Sequence, residues 1–89
     1  MFYNYVLKSE SGGDLYTGRT NDLKRRLDEH NKGLTPSTKR YRPWELIYYE
    51  ACLDEDDSKR REGYLKTTQG RRLLGRRLKE FFYKENKVK

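Results

Sequence analysis

Apolar side chains are scarce in this chain of 89 residues, of which 33% are hydrophobic and 39% are charged. Eight tyrosines, three phenylalanines and one tryptophan supply much of the apolar surface, because aromatic side chains bury a large area each. A chain of this length has no room for a second core. We therefore expect one small domain over residues 1–85, with an aromatic-rich core, and a flexible tail over residues 86–89.

The sequence has no segment typical of export or membrane insertion. No stretch combines the charged start and apolar middle of a signal peptide, and none has the roughly 20 apolar residues of a membrane span. The single cysteine, Cys52, has no partner for an internal disulfide. These features predict a soluble cytoplasmic protein without a membrane partner.

The net charge of +7 is unevenly distributed. Residues 19–42 carry a net charge of +5 and residues 71–89 carry +6, whereas residues 45–62 carry −4. Two basic segments around an acidic one suggest a polyanion-binding surface, interrupted where an acid could hold a metal. A solvated surface that only keeps the protein soluble explains the same charges, and both interpretations stay open on charge alone.

The pattern of apolar residues predicts three strands and a first helix. Residues 2–7 alternate like a half-buried strand, residues 9–14 are turn formers, and residues 15–19 resume the extended pattern of a hairpin. A helix is expected over residues 23–31, followed by a basic surface loop over residues 33–43. Adjacent aromatic and β-branched residues predict a third strand over residues 44–51.

Two further helices are expected after the third strand. Four acidic residues at 54–57 favour a helix that starts there and runs to about Lys66. Gly70 should separate it from a last helix with one apolar stripe, formed by Leu74, Leu78, Phe81 and Phe82. The order β-β-α-β-α-α predicts an α+β fold, a small three-stranded antiparallel sheet flanked by three helices.

Two polar side chains share the core-facing stripe of the first predicted helix. On a helical wheel, Arg26 and His30 fall beside Leu23 and Leu27. Burying a polar or charged group without a partner is costly, so both residues need a partner or a function. From spacing alone, a half-exposed arginine and a packed histidine with satisfied ring nitrogens is the favoured interpretation.

Glu62 occupies a similar position on the second helix, where it shares a stripe with Leu65. An ion pair with Lys59 or Lys66 along the helix explains it and is favoured by spacing alone. The alternative is a lone carboxylate ligand for Mg²⁺, an ion that keeps several waters and takes one or two carboxylates plus phosphate oxygens.

Two tyrosines of the hairpin share one sheet face if residue i pairs with residue 23 − i. Tyr5 then lies opposite Gly18, and Tyr16 is diagonal to Tyr5. The glycine leaves room above the sheet. A register shifted by one residue would place the two hydroxyls on opposite faces. Composition alone favours two ordinary aromatic residues at these positions.

Several short motifs follow one another in a specific order along residues 2–80. They are Tyr3-Asn4-Tyr5, then Leu15 to Leu23 with Tyr16-Thr17-Gly18, then Arg26 and His30, Ser37-Thr38-Lys39, Arg42-Pro43-Trp44, and Arg61-Glu62 with Leu65-Lys66. Together they resemble the GIY-YIG nuclease domain, in particular its small stand-alone bacterial members, which are similar to the N-terminal nuclease domain of the excinuclease C subunit. The first motif has Tyr-Asn-Tyr where the family name has Gly-Ile-Tyr, and the second has Tyr-Thr-Gly.

The resemblance implies a three-stranded antiparallel sheet flanked by helices, and a role for each of five catalytic residues. Tyr5 and Tyr16 match the two signature tyrosines, and Arg26 and His30 match the family's helix pair. Glu62 matches its single metal-binding carboxylate, which implies one Mg²⁺ or Mn²⁺ ion. By the same resemblance, Tyr16 would position and deprotonate water while Arg26 would clamp the scissile phosphate.

The implied function is that of a divalent-metal-dependent DNA endonuclease that hydrolyses phosphodiester bonds, in DNA repair, recombination or DNA degradation. Structure-selective or weakly sequence-specific cutting is expected, because the sequence contains no recognisable motif that reads DNA bases. The substrate is single-stranded, duplex or branched DNA, with RNA left open. A recruiting protein or a homodimer is compatible with the sequence.

Basic residues outside the catalytic group are candidates for binding the nucleic-acid backbone, and these are Arg19, Lys39, Arg40, Arg42, Arg71 and Arg72. Tyr41 and Trp44 are candidates for stacking on unpaired bases, with a core position equally open for Trp44. The alternative function is a catalytically weak nucleic-acid-binding module. A structural or protein-binding domain is the third class, and it would show little salt-dependent affinity for nucleic acid.

Overall fold

A computed structural model describes residues 1–88, and within them it has three strands and five helices. In chain order these are β1 (Phe2–Ser9), β2 (Leu15–Thr20), α1 (Leu23–Asn31), α2 (Pro36–Lys39), β3 (Trp44–Cys52), α3 (Glu55–Leu65), α4 (Thr68–Arg77) and α5 (Lys79–Val88). The strands form one antiparallel sheet in the order β2-β1-β3. The predicted α+β fold, with a three-stranded antiparallel sheet flanked by helices, is confirmed.

Of the two registers left open by the sequence, the β1–β2 hairpin has the one in which residue i pairs with residue 23 − i. Tyr5 pairs with Gly18, and Leu7 pairs with Tyr16. Side chains alternate between the two faces of a sheet, so Tyr5, Tyr16 and Gly18 share one face. The connecting turn uses Gly13, whose φ of 80° lies in the left-handed region that glycine adopts without steric cost.

β1 is buried on both faces, not on one face as the alternating pattern predicts. Being the central strand, β1 is covered by α1 on the face that carries Tyr5 and Leu7, which pack with Trp44. On the other face Val6 packs with Leu65 of α3 and with α4. We call these two sides of the sheet the α1 face and the α3 face.

The segment predicted as a loop over residues 33–43 contains the short helix α2. Proline is favoured at the first position of a helix, and Pro36 occupies it after Thr35. The indole Nε1 of Trp44 donates to the carbonyl of Thr38 in α2 at 2.9 Å. Asn31 at the end of α1 exchanges two hydrogen bonds with the backbone of Trp44, which holds α1 and α2 against the start of β3.

The prediction that Gly70 separates two helices is wrong. α3 ends at Leu65, and the hydroxyl of Thr67 accepts a hydrogen bond from the Gly70 amide to cap α4. Gly70 therefore lies inside the first turn of α4. A Cβ atom there would lie 2.6 Å from the Cα of Leu65 and closer still to the carbonyl oxygen of Tyr64. Glycine is needed here because α4 packs directly on the backbone at the end of α3.

The last predicted helix is divided at Leu78 into α4 and α5. Leu74 is buried against the sheet, whereas Phe81 and Phe82 are half-buried and contact each other edge to face at 5.3 Å. The tail predicted from residue 86 is helical as far as Val88, and Lys89 lies outside the described residues. Within residues 1–88, every helix is too short or too polar to cross a membrane.

Candidate active site

The Tyr5 hydroxyl lies between Arg26 and His30 of α1. Its oxygen is 2.9 Å from His30 Nε2 and 3.3 Å from Arg26 Nε. On the other side of the imidazole ring, His30 Nδ1 is 2.7 Å from the hydroxyl of Thr38. Tyr5, His30 and Thr38 are all buried, so α1 brings the two polar residues of its core-facing stripe to partners inside the protein.

The donors of this chain of hydrogen bonds point in one direction. Because a guanidinium can only donate, Arg26 donates to the Tyr5 oxygen, and the Tyr5 hydrogen remains for His30 Nε2. His30 Nδ1 then donates to Thr38, whose hydroxyl faces the carbonyl of Thr35 at 3.4 Å. This assignment gives every donor an acceptor and places the proton of His30 on Nδ1.

Burial sets the protonation of both groups at neutral pH. It raises the pKa of Tyr5 above its usual value, although the neighbouring Arg26 opposes the shift, so Tyr5 stays protonated. Burial, assisted by the positive charge of Arg26, lowers the pKa of His30 from 6.5 to about 4, so the imidazole is neutral. The packed histidine favoured by spacing alone is therefore present, and its ring nitrogens are satisfied.

Tyr16 lies beside this chain without joining it. Its ring centroid is 5.1 Å from that of His30 and 6.4 Å from that of Tyr5. Tyr16 is half-buried, and within residues 1–88 the side-chain hydrogen bonds at the site are made by its neighbours. The Tyr16 hydroxyl is thus free to bind water or a substrate.

Gly18 provides the space between the two tyrosines. A Cβ atom at this position would meet the Tyr5 hydroxyl, would lie 2.5 Å from the Tyr5 Cζ, and would lie 3.1 Å from the Tyr16 ring. Because hydrogen bonds hold Tyr5 in place, it has no room to move away. A side chain at position 18 would therefore disturb the site.

Arg26 retains one free side of its guanidinium. Nε binds Tyr5, and Nη1 forms an ion pair with Glu29 at 3.0 Å. Hydrogen bonds to Tyr5 and Glu29 raise the pKa of Arg26 despite the opposing effect of burial, which is the largest single influence. Among residues 1–88 the hydrogen bonds of this guanidinium use Nε and Nη1, and the side chain is 29% exposed, so Nη2 can donate to an anion.

Glu62 reaches the edge of the sheet from α3. Its Oε1 is 3.6 Å from Arg19 Nε, and its Oε2 is 3.3 Å from Lys66. The ion pair with Lys66 that spacing favoured is therefore present. Arg19 follows Gly18 in β2 and points to the α3 face. The charge of Glu62 is near enough to contribute, as the smallest of five influences, to the raised pKa of Tyr5.

The donors around Glu62 fit only one way of holding a divalent ion. Within residues 1–88 no group of three or more His, Cys, Asp or Glu residues is placed to ligate a metal. A Mg²⁺ ion here would take one carboxylate and would complete its shell with water and phosphate oxygens, which is a common arrangement for this ion. It would also displace Arg19 or Lys66 from the carboxylate.

Comparison with known proteins identifies the domain. The family model described as the GIY-YIG catalytic domain matches residues 1–77. The chain belongs to the GIY-YIG family. Its sequence is similar to the UPF0213 protein SAG0778 of Streptococcus agalactiae, with 45% identity over 72% of this chain and 73% of that protein. The UPF0213 protein CPE1444 of Clostridium perfringens is 39% identical over 74% of this chain and 71% of its own length.

A solved structure has the same fold. The solution NMR structure of the UPF0213 protein BH0048 from Bacillus halodurans covers 83% of this chain and 82% of its own, with a TM-score of 0.51 and 29% identity. These relatives agree with the predicted similarity to small stand-alone members of the GIY-YIG family. The region that the family model matches contains all five candidate catalytic residues and ends at the last residue of α4.

In this GIY-YIG domain, the predicted nucleic-acid-binding residues lie on both faces of the sheet. Lys39, Arg40 and Arg42 are exposed in and after α2, on the α1 face with Tyr5. Arg71 and Arg72 belong to α4 on the α3 face, and Nη1 of Arg71 is buried without a partner among residues 1–88. The structure therefore does not bring these two arginines together with the candidate catalytic tyrosines.

The other candidate residues are also divided between surface and interior. Arg19 is only 26% exposed and binds Glu55 at 3.1 Å as well as Glu62, so it is an ion-pairing residue in this structure. Trp44 is buried in the core, and Tyr41 is exposed. Trp44 is therefore a core residue and not a stacking residue.

Two residues of the site were absent from the sequence-based candidates. Thr38 binds His30, and Glu29 binds Arg26. Thr38 lies in the Ser37-Thr38-Lys39 motif, which resembles the family, but nothing in that motif indicates contact with a histidine eight residues earlier. Glu29 is three residues after Arg26, a spacing that predicts an ion pair on a helix.

Proposed function

We propose that this GIY-YIG protein is a divalent-metal-dependent endonuclease that hydrolyses phosphodiester bonds in DNA. The observation that carries the proposal is the convergence of Tyr5, Tyr16, Arg26 and His30 around Gly18 in a chain of this family. Membership of a nuclease family implies nucleic acid as the substrate. The one-ion metal dependence, the choice of DNA and the cutting itself belong to the proposal.

The two tyrosines take different roles because their surroundings differ. Tyr5 has a raised pKa and donates to His30, so it stays protonated and cannot accept a further proton. Tyr16 is half-buried beside it, with its hydroxyl outside that chain of hydrogen bonds. Tyr16 therefore positions the attacking water and, after releasing its own hydroxyl proton to solvent, takes a proton from that water. The chain through Tyr5 and His30 holds the neighbouring groups in place.

Arg26 and Glu62 are the residues that stabilise the scissile phosphate in this proposal. The free Nη2 of Arg26 donates to a non-bridging oxygen of the scissile phosphate and stabilises the charge that accumulates there. Glu62 would hold one Mg²⁺ or Mn²⁺ ion, which when bound would supply positive charge to stabilise the phosphate during the reaction. His30 has a low pKa and stays neutral, so it adds no positive charge to the site.

The exposed basic residues of the α2 segment would track the sugar-phosphate backbone next to the site. Contacts of this kind position a strand without reading its sequence, which agrees with structure-selective or weakly sequence-specific cutting. Roles in repair, recombination or degradation of DNA are all consistent with this chemistry.

The test is cleavage of end-labelled DNA in Mg²⁺, Mn²⁺ or EDTA. Wild-type protein and the Glu62→Gln variant are compared on single-stranded, duplex and branched DNA. The matched control is Glu80→Gln, which changes an exposed carboxylate of α5 outside the site. We expect cleavage only with metal, at the wild-type rate for Glu80→Gln, and at least about 100-fold slower for Glu62→Gln.

The binding-module alternative gives a different result in the same assay. It requires salt-dependent binding of DNA without metal-dependent cutting, with equal binding by wild-type and Glu62→Gln proteins. A structural or protein-binding domain would show little salt-dependent binding at all. Either result would contradict the proposed nuclease.

A further inference from the structure

Two tyrosines outside the catalytic group, the half-buried Tyr3 and the exposed Tyr49, form an aromatic pair on the α1 face. The ring centroids of Tyr3 and Tyr49 are 6.0 Å apart with the ring planes at 67°, an edge-to-face contact. Tyr49 is 54% exposed, so one of its ring faces is accessible to solvent. The pair therefore presents aromatic surface to solvent.

The register of the sheet places this pair beside the candidate active site. Tyr49 pairs directly with Tyr5 across β1 and β3, just as Gly18 pairs with Tyr5 across β1 and β2. All three share the α1 face, and neighbouring strands are about 4.8 Å apart. Tyr49 is thus the next position along the sheet from the catalytic tyrosine.

The pair is not needed to complete the core. The core cluster on this face contains Tyr5, Leu7, Tyr16 and Trp44 together with residues of α1, and neither Tyr3 nor Tyr49 belongs to it. The residue that pairs with Tyr3 on β3 is Ala51, whose small side chain leaves that side of the ring open. Among the residues that the structure describes, this aromatic pair therefore lies outside the core cluster of the α1 face.

We propose that Tyr3 and Tyr49 form a stacking platform for an unpaired base of the strand that is cut. The proposal rests on the proposed nuclease function and specifies its substrate. Base–aromatic stacking requires a free π-face, and in a continuous duplex the bases are already stacked on their neighbours. The preferred substrate is then single-stranded DNA or the single-stranded arm of a branch.

The positive charges around the platform favour single-stranded DNA as its ligand. Arg26 contacts Tyr5 from α1, and Lys39 and Arg40 are exposed on the α2 segment that packs on the same face. A strand whose phosphate meets Arg26 would present its neighbouring base to Tyr49. Combining a basic track with exposed aromatic rings is the usual way in which proteins bind single strands.

The test is binding in EDTA, which separates recognition from cutting. Single-stranded DNA and a duplex of the same sequence are titrated with wild-type protein, Tyr49→Phe and Tyr49→Leu. Tyr83→Leu is the matched control, because Tyr83 is equally exposed, at 61%, but lies on α5. A single-stranded oligonucleotide carrying 2-aminopurine reports stacking through quenching of its fluorescence.

We expect Tyr49→Leu to bind single-stranded DNA about ten-fold more weakly and to lose the 2-aminopurine quenching. Tyr49→Phe and Tyr83→Leu should bind like the wild type, and duplex affinity should be the same for all four proteins. Equal single-strand affinity of Tyr49→Leu and wild type would overturn the platform, as would a loss shared equally by the duplex. A change in oligomeric state on Tyr49→Leu would also overturn it, since the pair would then be an interface between copies.

The platform and the nuclease function can fail separately. If wild-type protein cuts DNA with metal but Tyr49→Leu binds normally, only the platform is wrong. If wild-type protein never cuts DNA yet shows the quenching, the platform stands and the nuclease function is wrong.

Discussion

At the scale of single residues, the site depends on hydrogen bonds that fix the orientation of a neutral histidine. His30 connects Tyr5 to Thr38 and has no exposed surface. A buried donor that loses its acceptor is costly, so changes to any member of this chain affect both stability and geometry. One prediction concerns Thr38, and the other concerns the protonation of His30.

Replacing Thr38 with valine should affect both stability and cleavage. Valine has nearly the same shape but no hydroxyl, so His30 Nδ1 loses its acceptor and the preference for one tautomer. We expect the free energy of unfolding to fall by about 1–3 kcal/mol in a urea titration. The cleavage rate should fall and its pH profile should shift, because Tyr5 is no longer oriented. Thr38→Ser should restore both, and an identical loss in the serine variant would contradict the account.

The low pKa of His30 predicts how stability depends on pH. The folded protein binds this proton only near pH 4, whereas the unfolded chain binds it near 6.5. Between these values the unfolded state holds more protons, so the free energy of unfolding rises with pH, by up to about 1.4 kcal/mol per pH unit. The contribution is complete above about 6.5 and is lost as the pH falls towards 4.

The measurement for that prediction is urea unfolding at several pH values for wild-type protein and His30→Asn. The variant should lose the part of the pH dependence that lies between 4 and 6.5. Equal slopes in the two proteins over this range would mean that His30 is not held neutral by the fold.

At the scale of elements, α3 holds the proposed metal ligand and is fixed from several sides. Arg61 forms two hydrogen bonds of 2.7 Å with Glu50 of β3, and these bonds lower the pKa of Glu50. Ser58 donates to the buried side chain of Asn4 in β1. At its end, α3 packs against α4 through Gly70. The orientation of Glu62 is thus set by contacts with two strands and a helix.

The two glycines of α4 should respond oppositely to substitution by alanine. At Gly70 a Cβ would overlap the backbone of Tyr64 and Leu65, so Gly70→Ala should destabilise the protein by about 1–3 kcal/mol or more. At Gly75 an added Cβ would have no atom of residues 1–88 within 4 Å beyond its own helix backbone and chain neighbours, so Gly75→Ala should stabilise the helix by about 0.5–1 kcal/mol. Thermal unfolding of both variants provides the comparison. If both stabilised the protein, the packing of α4 on α3 would be wrong.

At the scale of the whole molecule, the sheet separates two basic surfaces. The α2 segment carries its basic residues on the α1 face, next to the candidate site, and α4 carries its own on the α3 face. Charge alone could not distinguish these surfaces, because it gives no information about which helix packs on which side. The structure predicts that only the first one follows the bound strand.

The salt dependence of DNA binding tests this separation. The logarithm of the affinity falls linearly with the logarithm of the salt concentration, and each lost phosphate contact should reduce the magnitude of this slope by about 0.7 for single-stranded DNA. The double variant Lys39→Gln/Arg40→Gln should therefore lower the slope by about 1.4. The double variant Arg72→Gln/Arg76→Gln removes the same charge from exposed positions of α4 and should leave the slope unchanged. Equal effects of the two would show that the strand contacts both faces.

Much of the fold was predictable because local patterns determine it. Alternation and the turn formers predicted the hairpin, and pairing residue i with residue 23 − i placed Tyr5 and Tyr16 on one face, as the structure shows. What escaped prediction depends on contacts between distant segments. In the sequence Gly70 indicates a helix break, and only the packing of α3 against it shows why glycine is required there. Thr38 lies in a predicted loop, and its hydrogen bond to His30 is visible only in the structure. The burial of β1 on both faces likewise required knowing that it is the central strand.

The central claim is that Tyr16 acts on the attacking water in a metal-dependent nuclease site. The most direct measurement is the single-turnover cleavage rate of Tyr16→Phe, with Tyr83→Phe as the matched control on α5. We predict a loss of about 100-fold or more for Tyr16→Phe, typical of a missing general base, with unchanged DNA binding in EDTA and a wild-type rate for the control. Cleavage by Tyr16→Phe at the wild-type rate would contradict the claim.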